Sequence, residues 1–237
     1  MKSNVLVTAR ELCADFVSLF YPNYCLGCTN ALYKGEEILC TRCIRELPKT
    51  GYTNDPLNPV MLRLAGRLPL KFGLAFLKFR KTGLVQHLLH QLKYNNHPEV
   101  GVRLGKLFGK ELAESGMKSE IDLIVPVPLH ASRKRRRGYN QSAKFAEGLS
   151  SALSIPWNES VSSRVVRTSS QTRKSKVDRW ENVKDVFAIE RPEEINGQRI
   201  LLVDDVMTTG ATLEACGKQL LQAGCVELSV ACLAEAQ

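Results

Sequence analysis

The sequence predicts an α/β protein in which helices cover both faces of a parallel sheet, with a small cysteine-rich module ahead of it. Three observations carry this expectation. Strand-like and helical segments alternate beyond residue 70. The strand runs are apolar throughout, the pattern of strands buried on both faces. Four cysteines fall in two Cys-x2-Cys pairs, Cys25/Cys28 and Cys40/Cys43. The chain has 237 residues, 44% hydrophobic and 24% charged, a globular composition sufficient for one domain and a minor extra module.

Taken in order, residues 8–20 put Leu12, Phe16, Leu19 and Phe20 on one helical face, and Pro22 ends that helix. The cysteine module follows, so residues 1–50 form the N-terminal part. Residues 51–70, with their Pro, Asn and Thr, read as a linker, and residues 71–237 as the main domain. There, LKFGLAFLKF is a strand, followed by helices over about 82–93 and 98–115. IDLIVPVPL (121–129) starts as a buried strand and is broken by two prolines. Residues 139–153 read as a helix, VSSRVVR and DVFAIE as short strands, and NGQ (196–198) as a turn. RILLVDD is a strand ending on its acids, ATLEACGKQLLQAG a helix closed by Gly224, and VELSVACLA the last strand.

No run approaches the roughly 18 apolar residues of a membrane span. Charges interrupt the N-terminal segment and no small-residue cleavage site follows, so a secretory leader is not expected. Cys13, Cys216, Cys225 and Cys232 stand singly, which suits a reducing cytoplasm and one metal site better than a disulfide framework. Net charge is +9; residues 131–180 hold twelve Lys/Arg against three Asp/Glu, and the rest of the chain is neutral. Such concentration points to an anionic partner; a merely solvated basic surface is the alternative.

Cys-x2-Cys, eleven residues, Cys-x2-Cys is a strong Zn²⁺ pattern. Four thiolates close a tetrahedral site and leave no position for a substrate, so the expected role is structural; a redox pair of disulfides is the alternative.

LLVDDVMTTGATL (201–213) carries the chemistry. In a parallel sheet, ligands bind beyond the carboxyl ends of the strands. A small-residue turn entering a helix lets N–H groups converge on a phosphate. Thr208, Thr209, Gly210, Ala211 and Thr212 supply that turn, and Gly210 permits close backbone approach. It is not a Walker A loop: six residues separate Gly210 from Gly217, and Gln219 follows Lys218. Asp204 and Asp205 would repel phosphate and so should face sugar hydroxyls or a divalent cation. A sugar phosphate satisfies both halves.

VDDVMTTGAT closely resembles the phosphoribosyl-diphosphate (PRPP) signature of type I phosphoribosyltransferases. With CLGC and CTRC, LLHQLKYNNH, DLIVPVPLHASRKRRRGYNQS and RTSSQTRKSKVDRWENVKDVF in order, the chain resembles the ComF (GntX-like) family of competence-associated proteins across nearly all of residues 8–234. The resemblance implies a type I phosphoribosyltransferase fold and Mg²⁺-dependent displacement of diphosphate from PRPP. Asp204 and Asp205 would hold the ribose hydroxyls and residues 208–212 the 5′-phosphate. Val127 lies where the family's diphosphate loop would be, Lys93 in LKY is a further ligand contact, and Arg133 and Arg137 would belong to a mobile basic loop closing on the diphosphate. Tyr139, Asn140, Gln141, Gln171, Arg179 and Asn182, with Arg164, Arg167 and Arg173, would frame the acceptor or nucleic-acid side. Residue 2 is Lys, which argues against glutamine-dependent amidation. Two expectations stand together. One is a transferase with an unknown acceptor, serving DNA uptake or nucleotide metabolism. The other is a PRPP- or nucleotide-liganded protein that handles single-stranded DNA, or meets the competence machinery, through its basic stretch.

Overall fold

The computed structural model describes residues 22–164 and 186–236. The expected helix at 8–20, Cys13, Arg167, Gln171, Arg173, Arg179 and Asn182 lie outside the described residues. The chain divides into two units, Met1–Leu47 and Pro48–Gln237.

The first unit is built from tight turns. Cys25 N–H donates to Asn30 O at 2.8 Å and Thr29 N–H returns to Cys25 O at 2.9 Å, closing a knuckle around the first Cys pair. The Glu36 carboxylate accepts from Tyr33 N (2.9 Å) and Thr41 N (2.6 Å), tying the second turn to the start of α1 (Thr41–Arg45).

Among the described residues, the second unit holds a four-stranded, all-parallel sheet in the order β1 (Gly73–Phe79), β6 (Glu227–Ala236), β5 (Arg199–Met207), β2 (Leu123–Pro126). A separate antiparallel pair joins β3 (Ser162–Arg164) to β4 (Phe187–Ile189). Over one sheet face lie α3 (Leu84–Tyr94), α4 (Pro98–Glu114) and α6 (Gln141–Leu153). Phe76 of β1 stacks on Phe108 of α4 at 5.0 Å between centroids, and Phe108 lies 6.3 Å from Phe145 of α6. Helices α4 and α6 approach backbone to backbone, since a Cβ on Gly105 would collide with the Phe145 carbonyl and one on Gly148 with the Val102 carbonyl. On the opposite face α2 (Pro59–Leu64) and α7 (Ala211–Gln222) pack Val60, Leu64, Leu213 and Leu220 against Ala75, Val230 and Cys232.

Two expectations need correction. Residues 51–70 are not a linker. Tyr52–Asn54 form a 3-10 turn, Asn58 caps α2 through Val60 N (3.0 Å) and Met61 N (3.2 Å), and Val60, Leu64 and Leu68 are core residues. Pro59 at the first helical position, with its missing N–H and fixed φ, favours that start. Strand β5 also runs past its acids to Met207, because β6 continues beside it and pairs Val206 with Ala234 and Met207 with Glu235.

Candidate phosphate and carboxylate site

β2 stops at Pro126, paired with Val203, so Asp204 is the first β5 residue beyond the last β2 pair. Its Oδ1 accepts from Ser142 Oγ at 2.9 Å and from Asp205 N at 2.8 Å. Burial, and then the neighbouring Asp205 charge, push the Asp204 carboxyl up to about 7, against the two hydrogen bonds and the Lys93 charge. Lys93, at the end of α3, places Nζ 2.9 Å from Asp205 Oδ2. Among the described residues, Asp204 Oδ2 and Asp205 Oδ1 take part in no hydrogen bond or ion pair. Two such hard oxygens, just beyond the last β2 pair, suit sugar hydroxyls or a hard cation such as Mg²⁺.

The turn after β5 lines a small recess with Asp204, Val206 and Thr208–Leu213. Gly210, with φ +77°, is the N-cap of α7. A side chain there would be strained by that φ and would bring Cβ within 2.8 Å of Leu64 Cδ2. Thr208, Thr209, Ala211 and Thr212 are exposed, so the helix start is open to an anion. Arg63 Nη1 donates to Thr208 O at 2.7 Å and Arg67 Nη1 to Thr209 O at 2.8 Å. These two arginines were missed in the sequence. Their partners lie 145 and 142 residues away; the Asn-Pro start at 58–59 and the helical spacing of Val60, Leu64 and Leu68 are the local signs that their segment is ordered.

The basic run differs from expectation. It is not a mobile loop but helix α5 (Ala131–Arg137), capped by His130 Nδ1 accepting from Ser132 N at 3.2 Å and closed by Gly138 at φ +79°. Arginine is a good helix former, and cations crowded into the last turn complement the helix dipole. Lys134 also pairs with Glu159 at 3.0 Å. Arg133 is exposed, while Arg137 donates to Gln141 Oε1 at 2.7 Å and lies over the Tyr94 ring at 5.2 Å. Between α3 and α5 is a cavity of about 460 Å³, lined by Lys93, Tyr94, Asn96, Arg135–Arg137 and Tyr139.

Other expected contacts have structural partners. Val127 N–H donates to Val203 O (2.8 Å) and its carbonyl accepts from Asn140 Nδ2 (2.9 Å), so its backbone has no N–H to offer a diphosphate. Asn140 also caps α6 through Ser142 N, and Tyr139 Oη donates to Leu92 O at 2.6 Å. Asn140 and Gln141 are buried, Asn140 holding the Val127 carbonyl and Gln141 accepting from Arg137, while the half-buried Tyr139, tied to Leu92, also lines the cavity. Arg164 lies over the Phe187 ring at 5.5 Å.

In the first unit the Sγ atoms of Cys25, Cys28, Cys40 and Cys43 all lie within 4.8 Å of one another, a set able to hold a metal ion such as Zn²⁺. Cys25 Sγ accepts from Gly27 N (3.3 Å) and Cys40 N (3.2 Å), and Cys40 Sγ from Cys43 N (3.4 Å). Burial raises the Cys25 thiol, but N–H groups of Cys40, Cys28 and Gly27 outweigh it and bring it down to about 7. Burial pushes Cys43 well up.

Residues 91–237 match the family model of the phosphoribosyl transferase domain. The chain belongs to that family. Its curated relatives include a DNA utilization protein YhgH of Escherichia coli K12, 34% identical over 62% of this chain and 65% of that protein. Another is Competence protein F of Haemophilus influenzae, 29% identical over 92% of this chain and 99% of that one. A third is Competence protein ComFC of Bacillus subtilis, 30% identical over 43% and 39%. They make this phosphoribosyl transferase domain protein ComF-like, with the parallel sheet of the type I fold. The YhgH matches span 65% of those relatives' own length. Among solved structures, a glutamine PRPP amidotransferase from B. subtilis is 22% identical over 61% of this chain and 30% of that one, with a TM-score of 0.44.

Proposed function

We propose that this protein binds PRPP at the carboxyl end of β5 and displaces its diphosphate with an acceptor. The observation that carries this reading is the juxtaposition of Asp204 and Asp205 with the open turn Thr208–Thr212 at the start of α7. The 5′-phosphate sits on the N–H groups and hydroxyls of 208–212, where the helix terminus supplies partial positive charge. The ribose hydroxyls donate to Asp204 Oδ2 and Asp205 Oδ1. The diphosphate extends toward Lys93 and the Arg135–Arg137 end of α5, into a cavity of about 460 Å³. The C1–oxygen bond breaks with its electron pair leaving on diphosphate, and the acceptor's lone pair forms the new bond at C1. Lys93 and the α5 arginines stabilise the departing charge, and the carboxylates favour positive charge developing at C1. Bound Mg²⁺ would neutralise diphosphate charge and be held by oxygens of the ligand and the acid pair. Zn²⁺ at the four cysteines is structural. The single thiols suit a reducing milieu, which supports a cytoplasmic location.

A second reading is favoured by the outward face of α5. Residues 133–136 are consecutive exposed cations, more than one diphosphate requires, and relatives carry DNA-utilization and competence names. In it, this helix takes single-stranded DNA along its phosphates, and affinity falls steeply with salt.

Titration calorimetry with PRPP and Mg²⁺ separates the two. The first reading expects micromolar binding by the wild type that Asp204→Asn/Asp205→Asn abolishes. Folded wild type that binds no PRPP, yet binds oligonucleotides with a strong salt slope, leaves only the second.

A further inference from the structure

Thr208 and Thr209 present their carbonyls to α2 and the residues just after it, where two arginines hold them. Arg63 Nη1 donates to Thr208 O at 2.7 Å while its Nη2 lies 3.0 Å from Glu235 Oε1. Glu235 is buried, and its Oε2 accepts from Tyr52 Oη at 2.8 Å. Arg67 Nη1 donates to Thr209 O at 2.8 Å and to Arg63 O at 3.2 Å, while its Nε donates to Glu214 Oε2 at 2.8 Å. Each guanidinium thus has one carbonyl of the turn and one carboxylate as fixed partners.

In a trans peptide the C=O of one residue and the N–H of the next point in opposite directions. Fixing the carbonyls of Thr208 and Thr209 toward the arginines therefore aims the N–H groups of Thr209 and Gly210 the other way. Leu64 fills the space beneath Gly210 and closes that side of the turn. Glu214, in the first turn of α7, would by its charge oppose an anion there. Arg67 and Lys218 (2.6 Å) pair with it, and their hydrogen bonds hold its carboxyl below the usual range.

We propose that Arg63 and Arg67 are positioning residues that pre-organise the 208–212 turn for a phosphate monoester, Arg67 also neutralising Glu214. The proposal rests on the PRPP reading for its ligand. With their charges paired, the arginines act through the turn and do not bind the phosphate themselves. A cradle whose N–H groups are already aimed loses little conformational freedom on binding.

The test compares wild type with Arg63→Gln, Arg67→Gln and the conservative Arg63→Lys and Arg67→Lys, each checked for folding by thermal shift. Amide hydrogen exchange is measured without ligand, and affinities for ribose 5-phosphate and inorganic diphosphate by calorimetry. The Gln variants should speed exchange at 208–212 and leave β5 residues 199–203 unchanged. Loss of a charged hydrogen bond should weaken ribose 5-phosphate binding about tenfold or more. Diphosphate affinity should hold within a factor of about two, and the Lys variants should recover part of the loss. Folded Gln variants with unchanged turn exchange and unchanged ribose 5-phosphate affinity overturn the proposal. If wild type itself binds no ribose 5-phosphate, the PRPP reading falls. The exchange arm then decides alone, faster exchange at 208–212 supporting the positioning role and unchanged exchange overturning it.

Discussion

Asp204 occupies a place where ionisation is opposed, first by burial and then by Asp205, and its carboxyl is pushed up to about 7. An unfolded aspartate titrates near 3.9. Between roughly pH 4 and 7 the unfolded chain has released this proton while the folded protein keeps it, so stability falls as pH rises through that window. Against Asp204→Asn, whose side chain does not titrate, wild type should lose melting temperature progressively from about pH 4 to 7. Paired thermal scans across that range check it, and a constant difference between the two would contradict it. The acid pair stood out in the sequence because its signal is local: two adjacent carboxylates with a small-residue turn three positions on. The partners of Val127 and Asn140 were hidden for the opposite reason. The partner of Val127 N–H is Val203, on a strand far along the chain, and only the folded sheet brings it there.

Elements were legible where periodicity spoke and obscure where composition misled. Helices at 84–94, 98–114, 141–153 and 211–222 follow apolar spacing closely. The run of five cations read as a loop, although nothing forbids a short helix whose first four charges face solvent; its stabilising partner Glu159 is 25 residues from Lys134. The Pro- and Asn-rich segment before β1 read as a linker, while its buried Val60, Leu64 and Leu68 are spaced for one helical face. At the α4–α6 crossing, Gly105 and Gly148 remove the side chains that would separate the two backbones. Gly148→Ala should therefore destabilise the protein by about 1–3 kcal/mol, although alanine is the better helix former. Urea unfolding measures this, and an unchanged or raised midpoint would show that the crossing yields.

At the scale of the whole molecule, the two units depend on different sources of stability. The second has a sheet buried on both faces. The first rests on short turns converging on four sulfurs within 4.8 Å of one another. Structural Zn²⁺ contributes about 10–16 kcal/mol in zinc-finger peptides, enough to decide whether such a module folds. Elemental analysis should find one Zn²⁺ for the four cysteines. A strong chelator or Cys40→Ser should make residues 22–47 protease-sensitive and leave the cooperative melt of the second unit in place. Persistence of the module without metal would contradict a structural zinc.

The central claim is that the end of β5 and the start of α7 hold a phosphoribosyl group. A crystal structure with ribose 5-phosphate tests it most directly. The account predicts the phosphate against the N–H groups of 208–212, with the ribose hydroxyls at Asp204 and Asp205. Phosphate density at the α5 arginines alone, with the 208–212 turn empty, would contradict it.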